Sequence, residues 1–178
     1  GNPGYAPNAD AAMYLAREIF PKVREAIPGA ELLLVGRDPL PELIDYGQRH
    51  EGITVTGMVD DMRPYLDRAA VFAAPLRFGA GIQNKVLEAL AMNAPTVASP
   101  VAADGLQTAD GTLPPFDVAK DADEFARAIV RQLTAPQDQE GSGRAFVERY
   151  FSWKQSGSLL EQALVAAKDG MPSAKGGR

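Results

Sequence analysis

The sequence contains no cysteine. That excludes thiolate metal sites, thiol nucleophiles and a disulfide scaffold, and leaves the compartment open. It contains one histidine, His50. Such a composition argues against a histidine metal cluster or a Ser-His-Asp triad. No apolar run approaches the roughly 20 residues needed to cross a bilayer. The opening residues carry no signal-peptide pattern. A broad basic face is also missing. The net charge of −5 and pI near 4.9 argue against nucleic acid as a partner. The chain opens on Gly1 rather than methionine, as expected of an excised fragment or a processed form.

What is there suits one domain with a short tail. The 178 residues are 46% hydrophobic and 23% charged. A chain of that size builds a core without a metal or disulfide staple. Apolar runs occur at Leu32–Val35, Ile53–Val55, Val71–Ala74 and Thr96–Ala98. They end at Gly36, Gly57, Pro75 and Pro100, and they lack period-2 polarity. Strands of this kind lie in a parallel sheet covered on both faces.

Amphipathic stretches alternate with these strands. Asn8 or Asp10 caps a helix through Ala26, with Ala12, Leu15, Ala16, Ile19 and Val23 as its core stripe. Pro41 opens a helix to Arg49, and Asp60 or Asp61 caps one over Arg63 to Arg68. Further helices are expected over Ile82–Met92, over Glu124–Leu133 behind Asp121 or Asp123, from Pro136 to Tyr150, and from Ser152 to Lys168. Residues 1–168 form the domain. Residues 169–178 lack periodicity and read as a disordered tail. Repeated strand–helix units give a doubly wound α/β sheet, whose ligands bind at the carboxyl ends of the strands.

The segment Ala74–Glu88 follows one such strand. Gly79 and Gly81 let backbone N–H groups approach an anion closely. The helix start behind them adds unpaired N–H donors and a positive dipole end. Arg77 and Lys85 supply charge suited to a diphosphate. Val86, Leu87, Leu90 and Ala91 share one helical arc, and Asn84, Lys85 and Glu88 the opposite one. A carboxylate such as Glu88, one turn inside the helix, suits sugar hydroxyls rather than phosphate. A solvated Lys85–Glu88 pair is the competing reading from these residues alone. The loop is neither a P-loop nor a dinucleotide fingerprint: no Gly-Lys-Ser/Thr follows it, and the third glycine is missing.

Five stretches in order resemble one family. They are Tyr5–Ala11, Leu33–Arg37, Val55–Asp61 with Pro64–Leu66, Ala74–Ala91 and Pro95–Ser99. Tyr150–Trp153 adds a late aromatic-Ser-Trp signature. Together they resemble the carboxyl-terminal, donor-binding domain of GT-B glycosyltransferases of the retaining family 4 type. The similarity is greatest to bacterial sugar transferases of exopolysaccharide and exosortase gene clusters, and it covers residues 1–168. It implies a Rossmann-like parallel sheet flanked by helices, the C-terminal half of a GT-B fold, acting in the cytoplasm or at the inner membrane periphery. The implied substrate is a UDP- or GDP-sugar, with no cofactor and no obligatory metal. Glu88 matches the second glutamate of the family's Glu-x7-Glu motif and would bind ribose. Met58 and Val59, with Gly57, would meet the base. Gly79, Gly81, Ile82 and Gln83 would face sugar and diphosphate through their amides. Lys85, with Arg77 and Arg37, would offset leaving-group charge.

The chain departs from the family pattern in named places. Ala80 stands where the motif's first glutamate belongs, and Asn93 stands in place of a usual glycine. No Arg and Lys pair occurs in Asn2–Asn8. The family's first strand, and the domain that would bind a glycan or lipid-linked acceptor, should precede Gly1. The chain alone is therefore expected to transfer nothing. A GT-B nucleotide-sugar epimerase and a non-catalytic α/β binding module are the competing functions. A receiver-type module would need acidic strand ends, whereas these strands end at Gly36, Gly57 and Pro75.

The remaining conspicuous residues read as structural. His50 closes a helix, and Tyr150, Phe151 and Trp153 pack the last helices. Asp60 and Asp61 are too few for a metal site. Asp104 and Gly105 make a turn.

Overall fold

The computed structural model describes residues 4–108, 110–135 and 141–170. Its first helical stretch has three parts: α1 (Ala6–Tyr14), a π-helical turn over Leu15–Ile19, and α2 (Phe20–Ala26). Neither Asn8 nor Asp10 caps it. Tyr5 is the extended N-cap residue, without a side-chain cap, and Pro7 sits in the first turn. A proline there loses nothing, because the N–H it lacks would have no helical partner. Asn8 and Asp10 thus fall inside the helix, where their side chains reach other elements. Pro21 accounts for the π turn: it cannot donate to the Arg17 carbonyl, and its ring crowds that oxygen. The Phe20 N–H instead reaches the Leu15 carbonyl, five residues back.

Strands β1 (Leu32–Val35), β2 (Ile53–Gly57), β3 (Phe72–Ala74) and β4 (Thr96–Ala98) lie at the apolar runs. A two-residue β5 (Asp117–Val118) is additional. The other helices are α3 (Pro41–Arg49), α4 (Arg63–Asp67), α5 (Asn84–Ala91), α6 (Pro100–Asp104), α7 (Ala122–Thr134), α8 (Ser142–Tyr150) and α9 (Trp153–Gly170). Helix α6 replaces the stop expected at Pro100, because the Ser99 hydroxyl accepts the Ala102 N–H and starts a turn. Asp121 caps α7 by accepting the Glu124 N–H at 2.8 Å. Asp61 accepts the Arg63 N–H at 2.9 Å, although Met62 is the N-cap residue of α4. Ser152 accepts the Gln155 N–H at the start of α9. Of the expected helix from Pro136, residues 136–140 lie outside the described residues. The expected tail starts at Asp169, but Asp169 and Gly170 belong to α9; residues 171–178 lie outside the described residues.

All strand pairing is parallel, as expected. It divides into two sheets, β1-β2 and β3-β4-β5. Helices flank both. One buried cluster joins Leu15, Ile19, Phe20 and Val23 to Leu34, Leu43 and Val97, with Phe125 and Ile129 of α7. A second joins Ala74, Leu76, Val86, Leu90, Ala98, Leu106 and Phe146. Side chains of this size stabilise by about 1.5–3 kcal/mol each when fully buried. These two clusters hold β3, β4 and α5 rigidly, and so set the base of the loop between β3 and α5.

Of the late aromatics, Tyr150 and Phe151 pack on Phe146 at ring-centroid distances of 5.2 and 5.8 Å. Trp153 does not pack as expected; it is 93% exposed. It opens α9, whose Leu160, Leu164 and Val165 are exposed as well, so no described element covers it. His50 closes α3 structurally, with Nδ1 2.8 Å from the Tyr46 carbonyl and its ring stacked on Tyr46.

Candidate functional site

The loop from Pro75 to Gln83 leaves the carboxyl end of β3. Gly79 and Gly81 have φ of +139° and +78°, a backbone region that disfavours side chains. The loop is pinned from behind by Gly105 at the end of α6. A Cβ at Gly105 would lie 2.2 Å from the Gly81 carbonyl oxygen, so only hydrogen fits there. The Gln83 side-chain Nε2 donates to the same carbonyl at 3.2 Å. Helix α5 then starts at Asn84, two residues later than expected. Val86, Ala89 and Leu90 face the core, Glu88 is exposed and Lys85 is half-buried.

The two expected cations of this segment differ in their surroundings. Arg77 makes a two-point contact with Asp10: Nε donates to Oδ2 at 2.8 Å, and Nη2 pairs with Oδ1. Its guanidinium also lies over the Tyr14 ring, 4.8 Å from the centroid. The Arg77 hydrogen bonds hold the Asp10 carboxyl below its ordinary pKa, against a weaker opposing effect of burial. Arg77 is therefore largely neutralised within the chain. Lys85 donates to the side-chain oxygen of Asn8, a neutral partner. Among the described residues no carboxylate pairs with it. Burial alone lowers its pKa, as expected of an ammonium stripped of water without a counter-charge.

Asn8, Lys85 and Glu88, with Val59 beyond β2, line one cavity of about 1200 Å³. The other expected residues lie outside its wall. Arg37 and Met58 follow β1 and β2, whose ends are joined by a 3.3 Å hydrogen bond from the Gly36 N–H to the Gly57 carbonyl. Both are exposed, Met58 at 75%. Ile82 is 56% exposed at the tip of the glycine loop. The fold thus sets four strand-end segments along one edge, and three of the expected residues in a common wall.

Sequence reasoning missed Asn8, Asp10 and Gly105. Pro7 was the available signal for the first two, since a proline in the first turn moves the cap ahead of Asn8. No local pattern distinguishes Gly105 from a turn glycine. Among the described residues no group of three metal-ligating side chains occurs, and no helix is long and apolar enough to cross a membrane.

The fold is of the parallel α/β class, helices flanking its sheets, and comparison with known proteins narrows it. The profile of the family described as Glycosyl transferases group 1 matches residues 2–135, well over half of the sequence; the chain belongs to that family. A solved structure of sucrose-phosphate synthase from Thermosynechococcus elongatus, a GT-B neighbour, is similar at 25% identity with a TM-score of 0.61. The match covers 86% of this chain and 43% of that one, so this chain spans less than half the length of that synthase. No match is found among curated protein sequences.

Proposed function

We propose that the chain is the donor-binding half of a retaining glycosyltransferase that moves a hexosyl group from a UDP- or GDP-sugar to a glycan or lipid-linked acceptor in polysaccharide biosynthesis. The acceptor would be held by a further domain, and peripheral membrane contact would come from the full-length protein. The observation that carries this reading is Lys85: a half-buried ammonium in the first turn of α5, on a neutral partner, three residues before Glu88.

In the proposed reaction the bond between the anomeric carbon and the diphosphate oxygen breaks. The acceptor oxygen bonds to that carbon, and the acceptor proton passes to the departing diphosphate oxygen. Negative charge grows on the leaving diphosphate. Preorganised donors stabilise such charge most when they need no rearrangement. The amides of Gly79, Gly81, Ile82 and Gln83, the start of α5 and Lys85 would serve this role. Arg77, already bound to Asp10, would contribute mainly by holding the loop to α1. Glu88 would accept hydrogen bonds from the ribose, with Met58 and Val59 beside the base and Arg37 at the rim. Family membership and the likeness to sucrose-phosphate synthase support sugar transfer.

Calorimetric titration of UDP, GDP and ADP into the chain, and into Glu88→Ala, tests the reading. The expected result is saturable binding of one nucleotide, weakened by the substitution. Equal affinity of the variant would overturn the ribose role. Absence of binding by both this chain and the full-length enzyme would overturn the donor role itself.

A further inference from the structure

Among the described residues two that are not glycine hold a positive φ: Asp38 at +56° and Asn93 at +55°. That backbone is costly for an L-residue unless something compensates it. Asn93 is compensated, because its side-chain oxygen accepts the Arg144 N–H at 3.0 Å. Asp38 is not. Neither its carboxylate nor the adjacent Arg37 guanidinium has a hydrogen-bond or ion-pair partner among the described residues. Asp38 also precedes Pro39, and a proline pushes the residue before it toward extended backbone. Strain left uncompensated within the chain points to a ligand.

The place of the strain is the ligand edge of the sheets. Val35 pairs with Gly57, so Asp38, just past the end of β1, neighbours the residues that follow β2. The bond from the Gly36 N–H to the Gly57 carbonyl ties the two ends together. Next comes Met58, 75% exposed, a soft apolar surface of the kind that takes a flat ring. Val59 follows it and lines the same cavity as Lys85 and Glu88. A nucleotide with its diphosphate at Lys85 and its ribose at Glu88 would bring its base to the ends of β1 and β2. There it would find two charged side chains on consecutive residues, both exposed. Arg37 has only donors and the ionised Asp38 only acceptors.

We infer that Arg37 and Asp38 read guanine, which makes the donor a GDP-sugar; this rests on the donor-binding function proposed above. Guanine carries four groups in a row along its outer edge: the acceptors N7 and O6, then the donors N1–H and the 2-amino group. An arginine fork matches the first two, as it does where proteins read guanine in nucleic acid. A carboxylate matches the second two with one oxygen for each donor. Uracil offers a single N–H between two carbonyls, so one carboxylate oxygen would face a carbonyl. Adenine has an acceptor at N1 and an amino group in place of O6, so both charged side chains would meet the wrong partner. Asp38 therefore selects by repulsion as well as by attraction.

The discriminating probe is inosine diphosphate, which is GDP without the 2-amino group. Calorimetric titrations of the full-length enzyme compare GDP, inosine diphosphate, UDP and ADP. GDP should bind about tenfold or more tighter than each of the others. Asp38→Asn should erase the preference for GDP over inosine diphosphate. Asp38→Gly suits the left-handed backbone, so it should erase the same preference without lowering Tm. Arg37→Met should weaken GDP and inosine diphosphate equally, since both carry N7 and O6. Equal binding of GDP and inosine diphosphate by the unaltered enzyme would overturn the inference, as would an Asp38→Gly variant that keeps the preference. Tighter binding of UDP or ADP, still weakened by Glu88→Ala, would overturn the guanine assignment and leave the donor role standing. Absence of binding by all four nucleotides would overturn both.

Discussion

Lys85 and Asn8, 77 positions apart, share a hydrogen bond in which the ammonium donates to the side-chain oxygen. The contact ties the first turn of α5 to the first turn of α1. It also leaves the lysine charge uncancelled, because an amide oxygen is neutral. Arg77 shows the opposite solution one loop away, its charge met by Asp10. A site that binds an anion needs the first kind of cation, and a loop that must keep its shape needs the second.

The Glu88→Ala variant should bind nucleoside diphosphate about 10–100-fold more weakly. That is the effect of losing a hydrogen bond to a charged acceptor, about 1.5–3 kcal/mol. Glu88 is exposed and makes no described ion pair, so Tm should hardly move. A large fall in Tm with unchanged affinity would assign Glu88 to folding instead.

Lys85 should give opposite pH responses in binding and in stability. Its pKa is lowered by burial, below the roughly 10.4 of an unfolded lysine. The folded state therefore disfavours the charge. Stability should rise as pH climbs from the folded pKa toward the unfolded one, while nucleotide affinity falls as the ammonium is lost. Lys85→Met should abolish both trends, weakening binding at neutral pH without lowering Tm. Calorimetry and thermal melts from pH 7 to 10.5 separate this from a purely structural lysine, for which Met would lower Tm and leave affinity alone.

Asp10→Asn should cost about 1 kcal/mol at neutral pH, since the Asp10–Arg77 contact is two-pointed but half-exposed on the arginine side. In a domain of this size that is a Tm lower by roughly 2–4 °C. The Asp10 pKa is held below its ordinary value by Arg77. Its contribution is present above about pH 3.9 and is lost as pH falls through the folded pKa. Melting curves of wild type and variant should consequently converge in acid. Curves that stay parallel down to pH 2 would mean that the carboxylate charge is not what matters.

Much of this architecture was legible. Leu32–Val35 and Thr96–Ala98 are dense apolar runs, and a run of that length with turn residues behind it has few other uses. The glycine loop was legible because two positive φ values near a helix start leave glycine little competition. The split of the sheet was not, because an apolar strand announces that it is covered and not which strand lies beside it. Strand β5 was hidden by its length of two residues. The pairs Asp10–Arg77 and Asn8–Lys85 were hidden by separation of 67 and 77 positions, over which local patterning carries no information. Both acceptors were read as caps, which is what short polar residues ahead of an apolar stripe usually are. Trp153 shows the converse error: aromatic character predicts burial on average and fails at an element that nothing described covers.

Gly105 and Asn93 make the last prediction, because they hold the two ends of the glycine loop and its helix in place by different means. Gly105 leaves room for the Gly81 carbonyl, and a methyl there would sit 2.2 Å from that oxygen. Gly105→Ala should therefore shift the loop, with a stability loss of about 1–3 kcal/mol and weaker nucleotide binding. Asn93, just past α5, has φ of +55°, and its side-chain oxygen accepts the Arg144 N–H at 3.0 Å from α8. A glycine at this position keeps the backbone and loses only the hydrogen bond. Alanine loses the bond and adds the left-handed cost of about 1–2 kcal/mol. Asn93→Gly should hence be the milder variant in urea unfolding and Asn93→Ala the harsher, with nucleotide affinity nearly unchanged in both. Equal losses in the two variants would mean that the Arg144 contact, rather than the backbone geometry, dictates the residue at the end of α5.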